Sequence, residues 1–370
     1  MNSSKPLSLV DLNLVLSQTR DLWQEMRGQS VFITGGTGFF GCWLVESFCH
    51  VNRVLDLGAR ATLLTRDPAK FARKCPHLAG NPALTLLAGD VRSFEFPAGE
   101  FRYVIHAAME ASKKQAMEEP LEMLSTILAG TERTLKFAAR CGARKFLLTS
   151  SGAVYGRQPR EMTHVPESYD GAPDPLNAAN MHAEGKRASE LMCAVYQHQI
   201  NAQNPRYEQM ERMEGLEFEA KIARCWAFCG PHLPLDTHFA IGNFIRDVLA
   251  GRPISIAGDG TPRRSYLYAA DLAVWLWTIL FRAPSLLAIN VGSGRDVSIR
   301  ELAEVVAATL APETHASAIQ IHVAQQAVPG ALPERYVPSV ERAEKMLGLR
   351  ETVGLEEAIR RTAAWHGLVV

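Results

Sequence analysis

Thr34-Gly-Gly-Thr-Gly-Phe-Phe-Gly41 is the stretch that decides how the rest of the chain is read. Its glycines Gly35, Gly38 and Gly41 fall at the spacing GxxGxxG. It follows the apolar run Ser30-Val-Phe-Ile-Thr34 and opens a segment of helical periodicity beginning at Phe39. A strand before and a helix after are what separate a dinucleotide-binding turn from a chance glycine pattern. Glycine is needed because a side chain would keep the backbone away from a pyrophosphate, and the helix start then offers amides and a positive dipole end. Gly35, Gly38, Phe39, Phe40 and Gly41 are therefore expected to line a nicotinamide-dinucleotide site.

Working outward, strands are predicted at 30–34, 61–65, 84–87, 103–106, 145–149 and 219–226, and helices at 39–50, 120–141 and 180–198. This alternation signals an α/β, Rossmann-like, doubly wound parallel sheet whose ligands sit beyond the carboxyl ends of the strands. Upstream, residues 8–26 place Leu12, Val15, Leu16 and Trp23 at helical spacing, either packed on the domain or in a dimer contact. Residues 199–217 are polar and read as a loop or an extended helix end. After residue 230, Pro231, Pro234, Pro253 and Pro262 punctuate shorter elements. Helices near 240–250 and 270–281 flank a strand pair near 253–256 and 265–268, and helices near 299–310, 340–347 and 355–366 follow. The expected organisation is a helical extension over 1–29, a dinucleotide-binding domain over 30–230 and a smaller mixed C-terminal substrate lobe over 231–370, with some segments exchanged between lobes.

Composition narrows the partners. The 370 residues are 47% hydrophobic, enough for a sizeable core. Lys+Arg and Asp+Glu both number 39, so no basic excess points to nucleic acid. Seven cysteines form no CxxC pair, which reads as buried free thiols in a reducing compartment and gives no metal site. With neither a signal-peptide pattern nor an apolar run of membrane-spanning length, the expectation is a cytoplasmic protein without a membrane partner.

Around the cofactor, the second strand ends Leu63-Leu64-Thr65-Arg66-Asp67. NAD sites place a carboxylate near here for the adenosine ribose. Thr65 stands where that acid is expected, Asp67 is one position late, and Arg66 suits a 2′-phosphate or faces solvent. NAD and NADP both remain open, with Arg66 tipping the reading towards NADP. Gly89-Asp90-Val91 follows the third strand, where Asp90 serves either the adenine amino group or a turn.

These pieces occur in order with His106-Ala-Ala108, Thr149-Ser-Ser-Gly-Ala-Val-Tyr-Gly156, Arg224, Gly258-Asp-Gly260, Arg264-Ser-Tyr-Leu-Tyr-Ala-Ala-Asp271 and Asn290-Val-Gly-Ser293. From about residue 30 to 366 the chain resembles the NAD-dependent epimerase/dehydratase family of extended short-chain dehydrogenases. The resemblance implies a nucleotide-diphosphate sugar as substrate and a tightly held cofactor that Ala107, Ala108 and Val91 also touch. It implies that Ser151 bonds the reacting hydroxyl and that Lys186 is the lysine of a Tyr-x-x-x-Lys motif, holding the nicotinamide ribose. It also implies that Arg264 clamps the diphosphate, that Asn243 bonds the nucleotide unless it merely packs, and that the two long helices make a homodimer unless they only cover the sheet.

The sequence departs from that family in four places. His182 occupies the tyrosine position four residues before Lys186. It is a substitute acid/base, a spectator beside another group such as Glu110, or the mark of a weakened catalytic step. Gly152-Ala153 replace the acid pair of the 4,6-dehydratases, which disfavours that reaction and leaves epimerisation or oxidative decarboxylation. Ile127 stands for a family asparagine, and Ala227 for a sugar-contacting one. Glu110 is either a site carboxylate or a first-turn helix charge. The leading expectation is an NAD(P)-dependent nucleotide-sugar epimerase/dehydratase-like oxidoreductase with an atypical active site. The alternatives are an NADP-dependent carbonyl reductase and a dinucleotide-binding protein with weak or no catalysis.

Overall fold

A computed structural model of the protein describes residues 5–108, 119–203, 217–236, 239–311 and 319–367. The chain divides into two compact units. The first comprises Met1–Gly156, Ala172–Arg224 and Ala273–Ile289, and the second Arg157–Gly171, Cys225–Leu272 and Asn290–Val370.

The strands of the main sheet are β1 (Ser30–Thr34), β2 (Arg60–Thr65), β3 (Leu84–Ala88), β4 (Tyr103–His106), β5 (Lys145–Ser151), β6 (Glu219–Cys225) and β11 (Ala288–Val291). Their order is β11-β6-β5-β4-β1-β2-β3, and β3, β2, β1, β4 and β5 pair in parallel. Strand order therefore reverses between β1 and β4, where such sheets bind ligands. The sequence prediction lacks β11, because Ala288-Ile-Asn-Val291 is only four residues long and too short to show a period. The first unit also holds α1 (Leu9–Thr19), α2 (Phe39–Val54), α3 (Pro68–Lys74), α4 (Pro76–Ala79), α5 (Pro120–Arg140), α6 (Met181–Gln203) and the greater part of α8 (Ala269–Arg282).

The N-terminal extension is not one helix but α1 followed by a 3₁₀ segment over Arg20–Met26. Ser8 caps α1 by accepting from the Asp11 amide at 3.1 Å. At the far end Thr19 donates to the Val15 carbonyl (2.6 Å) and accepts from Trp23 Nε1 (2.8 Å). This places the fully buried Trp23 ring 4.6 Å from Trp277 and 5.7 Å from Phe281. Trp277 in turn donates to Ser47 Oγ on α2 at 3.0 Å. The extension thus completes an aromatic layer of the first unit. Two lysines finish the carboxyl end of α8: Lys145 donates to the Phe281 carbonyl (2.8 Å) and Lys221 to that of Ala283 (2.6 Å).

The second unit carries β7 (Phe228–Cys229), β8 (Ile254–Ile256), β9 (Arg263–Ser265), β10 (Leu267–Tyr268), β12 (Asp296–Ser298), β13 (Ile321–Val323) and β14 (Arg335–Tyr336). They form three small sheets, β12-β9-β14, β10-β7 and β13-β8. Its helices are α7 (Ala240–Leu249), α9 (Ile299–Leu310), α10 (Glu341–Leu347) and α11 (Leu355–Trp365). The segments expected to pair with each other near 253–256 and 265–268 instead pair with different partners. The connection between them is held by α9, whose Ile299 and Arg300 amides donate to the carbonyls of Pro262 and Gly260.

Replacing Trp23 by Ala opens a cavity in the aromatic layer and is expected to destabilise the fold by about 3–5 kcal/mol. Urea unfolding measures this. A loss below about 1 kcal/mol would show that the extension is peripheral.

Candidate active site

The cradle is built at the β1–α2 turn. Gly35 has φ +72°, and a Cβ there would lie 2.4 Å from the Ala107 carbonyl oxygen. A Cβ on Gly41 would lie 2.1 Å from the Gly35 oxygen, so both glycines are required for the turn to close. Gly38 differs: it is exposed, and its nearest neighbour to a Cβ is 3.4 Å away. Its lack of a side chain keeps open the start of α2, where the first intrahelical bond runs from the Cys42 amide to Gly38. That helix has neither a side-chain cap nor an acidic residue in its first turn. An uncapped helix start beneath a bare glycine fits a dinucleotide pyrophosphate. Phe39 and Phe40, both half-buried, begin the helix with ring centroids 5.7 Å apart.

Beneath the cradle sits His106, at the end of β4. Its Nδ1 lies 2.8 Å from Thr34 Oγ1 and its Nε2 3.2 Å from Thr131 Oγ1. Thr34 Oγ1 accepts the Ala108 amide, so its own proton points to Nδ1 and the ring proton lies on Nε2. Thr131 also meets Ser189 of α6 at 3.0 Å. Burial, with the Lys186 ammonium nearby, pushes the His106 pKa down from 6.5 to about 3. The imidazole is neutral and structural.

Ser151 closes β5. It caps the 3₁₀ turn Gly152–Tyr155 by accepting the Ala153 amide at 3.1 Å, and it is half-buried. Lys186, on α6 and 3% exposed, donates from Nζ to the Thr149 carbonyl at 2.7 Å. The ammonium is thus fixed to the same strand, two residues before Ser151. His182 lies one turn earlier on α6 and is half-buried, so it shares a helix face with Lys186. Glu110 lies outside the described residues. Ile127 is buried against Gly185, whose Cβ would come 3.1 Å from it, so this position joins α5 to α6.

Sequence reasoning missed what holds the Ser151 turn. Ser150 Oγ donates to Glu190 Oε1 at 2.5 Å, and Arg224 grips the same carboxylate from Nε (3.0 Å) and Nη2 (2.7 Å). The Arg224 guanidinium also stands 4.7 Å from the Tyr155 ring centre. Glu190 and Arg224 are visible in the sequence, but nothing in their spacing pairs them.

At the end of β3, Asp90 is gripped by Arg92 through Nε (2.8 Å) and Nη2 (2.9 Å), which holds its carboxyl below the usual range. Val91 is buried under α5, with Gly130 so close that a Cβ there would lie 2.9 Å from it. At the end of β2, Arg66 is exposed, whereas Asp67 Oδ1 accepts the Lys70 amide at 2.7 Å as the cap of α3. Ala107 and Ala108 hang on Thr34, their amides donating to its carbonyl and hydroxyl respectively, each at 3.2 Å.

In the second unit, Arg264 is half-buried on β9 and donates to the Arg263 carbonyl at 2.8 Å. Its neighbour Arg263 pairs with Asp296 and lies 3.3 Å from Glu301. Asn243 sits in the first turn of α7, its Oδ1 accepting from Arg246 at 3.2 Å.

The His106 shift sets a pH dependence. The folded chain keeps this ring neutral, whereas the unfolded chain protonates it below about 6.5. Stability should therefore fall as pH drops from about 6.5 towards 3, by up to about 1.4 kcal/mol per pH unit from this group. Unfolding free energies of the native chain and of His106→Gln across that window test it; equal slopes would mean that His106 is not the source.

Residues 31–292 match the model of the NAD dependent epimerase/dehydratase family. UDP-glucuronic acid decarboxylase 1 of Danio rerio is 28% identical over 343 residues, covering 91% of this chain and 72% of its own. UDP-glucuronic acid decarboxylase 2 of Arabidopsis thaliana is 28% identical over 337 residues, covering 90% and 67%. Among solved structures, Thermus thermophilus UDP-glucose 4-epimerase in complex with NAD superposes with TM-score 0.68 at 24% identity, covering 92% of this chain and 100% of its own. UDP-N-acetylglucosamine 4-epimerase of Methanobrevibacter ruminantium M1 gives TM-score 0.72 at 19% identity, covering 92% and 99%. The same fold, the glycine turn at the strand-order reversal and the matched span together show that the chain belongs to the NAD dependent epimerase/dehydratase family.

Proposed function

We propose that the protein is an NAD(P)-dependent oxidoreductase that oxidises a hydroxyl of a nucleotide-linked sugar beside the carboxyl end of β5. The observation that carries this reading is Lys186 anchored on the Thr149 carbonyl, two residues before Ser151. When bound, the nicotinamide supplies the hydride acceptor. Ser151 hydrogen-bonds the reacting hydroxyl, and Lys186 holds the nicotinamide ribose and keeps a positive charge beside the site. His182 takes the hydroxyl proton; its ring reaches less far than a phenol, so a bridging water serves the transfer. Arg264 and Asn243 of the second unit bind the nucleotide diphosphate, with Arg264 suited to bidentate phosphate contact. Gly152 and Ala153 carry no titratable group, so expulsion of water lacks its proton donor. Epimerisation, or loss of CO₂ from an oxidised uronic acid, needs no such donor. The decarboxylase relatives make UDP-glucuronic acid the first substrate to try.

For the cofactor, Arg66 and the absence of an acid at Thr65 favour NADP. The capping bond of Asp67 supports that reading, because it commits the neighbouring carboxylate to α3. NADP also favours the second reading, a carbonyl reductase. Exposed Leu121 (80%), Leu191 (66%) and Val195 (45%) on α5 and α6 support a homodimer through these helices.

Three experiments follow. UDP-glucuronic acid and related nucleotide sugars should raise the melting temperature, since a ligand of the native state stabilises it by mass action. No shift with any nucleotide sugar, together with steady NADPH consumption on simple carbonyls, would replace this reading by the reductase. Once turnover is found, His182→Phe should lower kcat by about 10²-fold or more while His182→Tyr retains activity. Unchanged turnover in the Phe variant would remove His182 from the mechanism, and a native chain that binds sugar nucleotide without turnover would make it a binding protein. For assembly, Leu191→Glu should shift a dimer to monomer by light scattering; a monomeric native chain would sink the dimer.

A further inference from the structure

We infer that Lys74 selects the cofactor, its ammonium standing with Arg66 at the adenosine-ribose end of the cradle to receive a 2′-phosphate. The inference rests on the NADP reading above and deepens it. Lys74 is the last residue of α3, and its Nζ donates to the Thr37 carbonyl at 3.3 Å. Thr37 lies in the middle of the glycine turn, 37 residues earlier in the chain. The contact therefore brings a cation from the helix after β2 to the turn that would carry the dinucleotide. In this fold the adenosine ribose lies at the carboxyl end of β2, beside that turn.

The carboxylates at this place are already engaged. Thr65 offers no carboxylate, and Asp67 is committed to the Lys70 amide. Asp90 is committed to the Arg92 guanidinium. Arg66 stands exposed at the end of β2, close enough to Asp90 to help hold its charged form. A basic residue in the last turn of a helix also suits the helix dipole, and Arg73 and Lys74 both meet that description. The dipole does not require an ammonium to leave its own helix for a distant loop carbonyl, as Lys74 does. An ammonium carries three donors, so a carbonyl and a phosphate oxygen are compatible on it.

The test is binding. NADPH and NADH are titrated separately into the full-length protein, Lys74→Met, Lys74→Arg and Arg66→Met, read by dihydronicotinamide fluorescence. Adenosine 2′,5′-bisphosphate and ADP serve as competitors. The native chain should favour NADPH and adenosine 2′,5′-bisphosphate. Lys74→Met should weaken both by about tenfold or more, leave NADH and ADP within about twofold, and be rescued by Lys74→Arg. If Lys74→Met weakens NADH as much as NADPH, the residue merely holds the turn and the inference fails. If the native chain favours NADPH, Lys74→Met changes nothing and Arg66→Met abolishes the preference, the inference fails while the NADP reading survives. A native chain that binds NADH as tightly as NADPH overturns both.

Discussion

A neutral imidazole in the interior has to find a donor and an acceptor, because burying either nitrogen without a partner costs as much as a lost hydrogen bond. His106 meets this demand with two hydroxyls: Thr34 at the end of β1 donates to Nδ1, and Thr131 on α5 accepts from Nε2. The same hydroxyls carry further duties. Thr34 receives the Ala108 amide, and Thr131 touches Ser189 on the helix that bears Lys186. The His106 carbonyl accepts from Thr149, whose own carbonyl holds the Lys186 ammonium. The close approach of Gly35 to Ala107, and the shelf on which Lys186 rests, both depend on this arrangement. Burial, with the Lys186 ammonium nearby, keeps the ring neutral, so the ammonium stands above an uncharged histidine.

Much of this was legible from residue order. The glycine turn declared itself because a strand and a helix bracket it, and strands β1 to β6 because apolar runs recur between helical periods. Ser151 and Lys186 are singled out by their places in that series. What remained hidden were the partners. Lys186 is fixed by a backbone carbonyl, which no side-chain pattern announces. Ile127 reads in sequence as the loss of a supporting asparagine, yet its contact with Gly185 lets α5 and α6 approach closely. Periodicity describes one element at a time, so it missed the 3₁₀ tightening at Arg20–Met26, where a hydroxyl-to-indole bond steers Trp23 inward. It also paired the wrong strands in the second unit, because the intervening turn is occupied by α9.

The arginines of the second unit show how little residue type alone decides. Arg263 and Arg335 share Asp296, and that carboxylate stitches neighbouring strands of a small sheet. Arg264, next in sequence, faces the other side of β9 by the alternation of a strand. Its guanidinium is steadied by the Arg263 carbonyl rather than by that carboxylate. One residue of register separates a structural ion pair from a group suited to an anionic ligand.

The aromatic layer around Trp23 has a consequence for the order of synthesis. Trp23 is made about 250 residues before Trp277 and Phe281, which cover it. At roughly 5–20 residues per second the extension waits some ten to fifty seconds for its partners. During that interval the indole can meet Phe48 of α2 but neither of those two rings. The Trp23 indole therefore stays incompletely covered while the intervening residues are made, and this is the species that a holding chaperone would meet.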